Sequence, residues 1–260
     1  MITSLQNQRI KDVVKLNNAR ERRKQNLFVI EGARELSMAI AGDFTINGMF
    51  VCDELLTVEG REIISKTGIP TENVSVDVFR KMAYREESDG IIALAKSRYL
   101  SVDAVRLSAN PFIIILEAVE KPGNLGAILR TADAARVDAV IVCDPKTDIY
   151  NPNAIRSSIG CVFTQQVVAC TSEEALRWLK RNGVRIFAAE LTASQYYHET
   201  DFTRSSAIVM GAEAHGLTDF WLRNADHRIK IPMLGRIDSL NVSVSTAIIT
   251  FEAMRQRKSN

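Results

Sequence analysis

The run Phe112-Ile113-Ile114-Ile115-Leu116 is apolar at every position, so it offers no face to water and has to lie inside a sheet covered on both sides. It is far too short to cross a bilayer, which takes roughly 18–20 apolar residues. After it the pattern alternates. The spacing predicts a helix over 125–135, a strand over 139–143, a helix over 152–158, a strand over 162–168, a helix over 173–182, strands over 184–188 and 207–210, and a long final helix from Val242 to about Arg257. Continuous apolar strands separated by helices imply an α/β fold with a mostly parallel sheet.

The same alternation appears upstream in weaker form. Leu5, Ile10, Val13, Val14 and Leu16 recur at helical spacing over 5–20, and a strand follows over 27–30. A helix starting near Gly32, a strand over 46–51, a helix near 59–66, a strand over 74–76, a helix over 78–84 and a strand over 90–95 complete a small α/β domain. At 260 residues the chain is long enough for two domains. Apolar continuity is lost after Lys96, and Asn110-Pro111 breaks the chain before the strongest strand. The expected division is therefore 1–97, a linker over 98–110, and 111–260.

Composition narrows the chemistry. Cys52, Cys143, Cys161 and Cys170 form no Cys-x-x-Cys pair, and His198, His215 and His227 have no partner at ligand spacing, so no metal site is expected. Formal charge is nearly balanced, yet over 1–40 eight basic residues (Arg9, Lys11, Lys15, Arg20, Arg22, Arg23, Lys24, Arg34) face four acidic ones (Asp12, Glu21, Glu31, Glu35). That segment suits a phosphate backbone, and it equally suits a solvated helix face. The amino terminus lacks the apolar block of a secretory signal, so a cytoplasmic protein without a membrane segment is expected.

Three segments of the second half carry more polar chemistry than packing needs. In Glu117-Ala118-Val119-Glu120-Lys121-Pro122-Gly123-Asn124-Leu125 a strand enters a helix through a Pro-Gly-Asn turn, with Arg130 further along that helix. Asn124 is either a cap or a ligand group. In Met210-Gly211-Ala212-Glu213-Ala214-His215-Gly216 two glycines flank a carboxylate, either as a tight turn or as a place where a ligand meets backbone. In Ile231-Pro232-Met233-Leu234-Gly235-Arg236-Ile237-Asp238-Ser239-Leu240-Asn241-Val242-Ser243 hydroxyl and amide groups exceed what one helix cap requires. Neither a Gly-x-Gly-x-x-Gly fingerprint nor a Walker loop is present, which argues against a dehydrogenase and a nucleotide hydrolase.

Taken in order, these segments closely resemble the three motifs of the SpoU (TrmH-like) family of the SPOUT superfamily. The resemblance runs from Ile113 to about Arg257. More weakly, Phe28-Val29-Ile30-Glu31-Gly32 and Ser88-Asp89-Gly90-Ile91 resemble a ribosomal-protein-like RNA-binding module. The resemblance implies an RNA ribose 2′-O-methyltransferase with a deep trefoil knot, S-adenosylmethionine as cofactor, and a homodimer joined through the C-terminal domain. By match, Gly211, Ile231, Met233 and Leu240 hold the cofactor, and Arg130, Asn124, Glu213, Ser239 and Asn241 form the catalytic set. Arg130 is implied to activate the hydroxyl. An arginine reference pKa above about 12 makes stabilisation of the developing alkoxide an equal alternative.

Ribosomal RNA is the expected substrate. A tRNA ribose methyltransferase and a silent RNA-binding assembly factor are the alternatives. Two departures stand out: Ala214 replaces a frequent glycine, and Arg136 stands where the helix commonly ends in glycine.

Overall fold

A computed structural model describes residues 1–86 and 88–258. Residues 87, 259 and 260, which fall within the expected spans 1–97 and 111–260, lie outside the described residues. By compactness the chain forms two units, Met1–Arg98 with Tyr150–Thr164, and Tyr99–Ile149 with Gln165–Asn260.

In the first stretch the elements are α1 Gln8–Lys15, α2 Ala19–Gln25, β1 Leu27–Glu31, α3 Ala33–Ala41, β2 Ile46–Val51, α4 Val58–Thr67, β3 Thr71–Asn73, α5 Val76–Met82 and β4 Ile91–Lys96. Their four strands form one sheet in the order β1-β4-β2-β3. The single helix expected over 5–20 is two. The fully buried Arg22 donates to the carbonyls of Leu16 (2.8 Å) and Asn17 (3.0 Å), and the Asn18 side chain caps α2, so the backbone turns between them. The strand expected over 74–76 lies at β3 instead: Val74 still donates to the Val51 carbonyl (2.9 Å), but Ser75 is already the N-cap of α5 and the chain is helical from Val76. α5 stops short of Tyr84, whose N–H donates to the buried carboxylate of Glu31 at 2.7 Å.

The motif Phe28–Gly32 thus has a structural task. Gly32 sits at φ 105°, a conformation side chains resist, and Asp89 accepts from the Ala33 N–H (3.0 Å) just beyond it.

The remaining elements are β5 Phe112–Glu117, α6 Pro122–Ala134, β6 Ala139–Cys143, α7 Pro152–Ser157, α8 Cys161–Thr164, β7 Val167–Cys170, α9 Ser172–Arg181, β8 Arg185–Ala189, β9 Gln195–Tyr196, β10 Ser206–Met210, α10 Asp219–Asn224, β11 His227–Lys230 and α11 Val242–Lys258. Seven strands pair in the order β7-β6-β5-β10-β8-β11-β9, each neighbouring pair parallel. Every residue of β5, β6 and β10 is buried, as their apolar runs require, and the two polar residues among them, Glu117 and Ser206, stand at strand ends. α11 packs along α6. The short elements β9, α10 and β11 carry no clear periodicity and were not expected.

Residues 150–164 fall inside the expected span 111–260, yet by compactness they belong with residues 1–98. The reason is aromatic packing: the Tyr150 ring stacks on Phe28 (4.3 Å between centroids), and Phe163 meets Phe44 edge-on (5.0 Å). That packing also explains why 162–168 is not one strand. α8 turns Phe163 into this cluster before β7 begins. Among the described residues no helix is long and apolar enough to cross a membrane.

Candidate functional site

In an open parallel sheet the loops leaving the carboxyl ends of the strands are free to meet a ligand. Four such loops, after β5, β8, β10 and β11, surround the site in the second unit. Three of them, with the start of α11, line a cavity of about 750 Å³. That volume lies within the roughly 300–1,000 Å³ typical of small-molecule sites. Its lining mixes apolar groups such as Met210, Leu217 and Ile249 with polar ones such as Glu190, Ser239 and Asn241.

The β10 loop is held in a close turn. Gly216, at φ 66°, donates its N–H to Ala212 (2.8 Å), and a Cβ on Gly211 would overlap the backbone of Gly216 and Leu217. At the far side of the turn the buried Glu117, which ends β5, accepts from the Thr218 N–H (2.8 Å) and hydroxyl (2.6 Å). Both ends of the glycine loop are therefore anchored to central strands.

Three sequence segments meet at one carboxylate. Asn124, in the first turn of α6, donates its amide to Glu213. The Asn241 amide donates to Glu213 at 3.1 Å and to the Asn124 carbonyl oxygen at 3.2 Å. Its own carbonyl oxygen accepts from the Ser243 N–H (2.9 Å) and hydroxyl (2.6 Å), capping α11. This cap fixes the orientation of the Asn241 amide, since the oxygen is committed to the helix and only the nitrogen remains for Glu213. Lys121 completes the set as an ion pair with Glu213.

Of the residues singled out from sequence, Gly211, Ile231, Met233, Leu240, Glu213, Ser239 and Asn241 all line the cavity. Asn124 lines a second recess of about 310 Å³ whose wall shares Glu213, Ala214 and Val242 with the first. Ser239 donates to Asp238 (3.2 Å). Arg130 stands apart. It is exposed, six residues beyond Asn124 on α6, and lines neither cavity in its own chain. At 100° per residue its side chain leaves the helix about a third of a turn away from that of Asn124.

Sequence reasoning missed Glu190, Leu191 and Thr192 on the β8 loop, and the links made by Lys121 and Glu117. The position of 190–192 just beyond a parallel strand was the available signal. Among the described residues no cluster of His, Cys, Asp and Glu is suited to a metal ion.

Residues 111–251 match the model of the SpoU rRNA Methylase family, and residues 7–93 match that of the MRM3-like substrate binding domain. The 23S rRNA (guanosine(2553)-2′-O)-methyltransferase RlmP of Bacillus subtilis is 32% identical, over 96% of this chain and 97% of its own length. A solved RNA 2′-O ribose methyltransferase is 37% identical, with a TM-score of 0.89 and 99% of each chain covered. An AdoMet-bound rRNA methyltransferase from Sinorhizobium meliloti is 28% identical, with a TM-score of 0.90 over 98% of this chain and 97% of its own.

Proposed function

Because the chain belongs to the SpoU rRNA Methylase family, we propose that it transfers a methyl group from S-adenosylmethionine to a ribose 2′-hydroxyl of large-subunit ribosomal RNA. The observation that carries this reading is the meeting of all three polar segments on Glu213 beside a cavity of about 750 Å³. The cavity fits the cofactor on its own terms. Gly211 lets the turn that walls the cavity close tightly against Gly216 and Leu217, and the lining mixes apolar with polar groups, as a ligand with both characters requires.

Bound there, S-adenosylmethionine supplies a methyl group already activated by its sulfonium. The protein has then to align the acceptor and deal with one proton. Gly211, Ile231, Met233 and Leu240 hold the cofactor. Asn124 and Asn241 orient the acceptor nucleotide from the Glu213 side, and Glu213 and Ser239 hold the site together. Arg130 binds the phosphate next to the target ribose and favours the oxygen as its proton leaves to phosphate or water. A planar guanidinium fork suits that task better than loss of its own proton.

The functional division proposed is 1–97 for RNA recognition, 98–110 as connection and 111–260 for methyl transfer. The matched spans 7–93 and 111–251 support it. The same reading includes a trefoil knot at the carboxyl end. In its favour, the chain goes from the edge strand β9 back to the central β10, and α11 returns to α6. It also includes a homodimer through the C-terminal domain and action in the cytoplasm. Val244 and Phe251, both exposed and seven residues apart on one face of α11, support the dimer, since neighbouring apolar groups are rarely left in water.

The test is to incubate the protein and labelled S-adenosylmethionine with total rRNA and with total tRNA, then map alkali-resistant linkages. Label at a single large-subunit rRNA ribose is expected. Label in tRNA alone would overturn the substrate assignment, and cofactor binding without label in either pool would favour an assembly role.

A further inference from the structure

We propose that Lys121 is a phosphate-binding residue for the acceptor RNA, held on Glu213 until RNA arrives; this rests on the methyltransferase reading above. The starting observation is the recess of about 310 Å³ lined by Val119, Glu120, Lys121, Asn124, Glu213 and Val242, along with Ala214. Lys121 lines this recess and not the larger cavity. Its ammonium therefore lies with Asn124, on the side of Glu213 assigned above to the acceptor nucleotide.

Glu213 does not depend on Lys121. The Asn124 and Asn241 amides both donate to its Oε1, while Lys121 pairs with Oε2. Removing the ammonium leaves the carboxylate held by two amides on two different elements. Lys121 is 70% exposed in its side chain against 27% for Glu213, so the pair is well screened and easily exchanged. A long four-carbon stem lets the ammonium swing outward without moving the backbone.

The charges facing the recess are Glu120, Lys121 and Glu213. Two carboxylates would repel a phosphodiester that entered deeply. The favourable position is thus at the rim, where Lys121 reaches solvent, with the ribose rather than the phosphate directed inward past Asn124. In this arrangement the two carboxylates keep anions out of the recess, and the ammonium exchanges Glu213 for a phosphate presented at the rim.

The experiment measures equilibrium binding of the full chain to purified large-subunit rRNA at a series of salt concentrations, for wild type, Lys121→Gln, Lys121→Arg and the control Lys180→Gln on α9. Affinity for S-adenosylmethionine is measured by calorimetry on the same samples. Loss of one phosphate contact is expected to reduce the slope of log K against log salt by about 0.7–0.9 and to weaken binding roughly three- to tenfold at 0.1 M salt. Lys121→Arg should keep the wild-type slope, and cofactor affinity should stay within about twofold of wild type. An unchanged slope in Lys121→Gln, or an equal drop in Lys180→Gln, overturns the proposal. So does weaker cofactor binding with an unchanged slope, which would assign Lys121 to the cofactor. A wild-type protein that binds neither RNA nor S-adenosylmethionine would overturn the methyltransferase reading itself.

Discussion

At Gly211 the absence of a side chain is a steric necessity rather than a matter of flexibility. Its backbone passes so close to Gly216 and Leu217 that one added methyl group overlaps main-chain atoms, which cannot move aside as a flexible side chain could. Gly211→Ala must therefore open the 211–217 turn, although Glu117 still anchors its far end through Thr218. The expected result is at least about tenfold weaker S-adenosylmethionine binding by calorimetry, or roughly 1.4 kcal/mol. The seven-strand sheet should remain intact by circular dichroism. Wild-type affinity in this variant would show that the turn is not the cradle. The glycine was visible in the sequence because a strand ended on it. The Lys121–Glu213 pair was not, since nothing local marks two residues that meet only after β10 has been inserted beside β5.

The end of α6 shows how an element can form against the preference of one residue. Arg136 takes φ 52°, while its N–H donates to Asp133 (3.1 Å) and that of Val137 donates to Ala132 (2.9 Å). This is the paired bonding that closes a helix through a left-handed residue, a position where glycine avoids a cost of roughly 1–2 kcal/mol. Part of that gain is lost to the greater freedom of glycine in the unfolded chain. Arg136→Gly should then stabilise the protein by about 0.5–1 kcal/mol and raise its melting temperature by roughly 1–4 °C. A lower melting temperature in a calorimetric scan would mean that the arginine side chain makes a compensating contact. Elements were legible where periodicity was long or burial continuous: β2 and β6 lie where their apolar residues end, and α11 begins at Val242 as its Ser/Asn-rich entry implied. They were illegible where a tertiary contact decided. Cys161-Val162-Phe163 has strand-like composition, but the Phe28–Phe44–Tyr150 cluster draws Phe163 inward and makes that stretch helical.

For the whole molecule the question is where Arg130 acts. All the other residues assigned to the reaction gather on one carboxylate or line one of two adjoining cavities of a single chain, yet Arg130 projects from another face of α6. A homodimer with two-fold symmetry would resolve this if the arginine of one protomer served the cavity of its partner, because each interface then completes two sites at once. The apolar groups Val244 and Phe251, seven residues apart on one face of α11, give such an interface a place to form. The two arrangements differ in a way that mixing can measure. Arg130→Ala and Gly211→Ala, each purified alone, should be nearly inactive in methyl transfer to large-subunit rRNA. If Arg130 acts across the interface, unfolding and refolding them together in equal amounts yields half heterodimers, each with one site carrying both Gly211 and Arg130. Activity should recover to about a quarter of wild type. If Arg130 serves its own chain, every site in the heterodimer carries one defect and activity stays at the level of the separate variants.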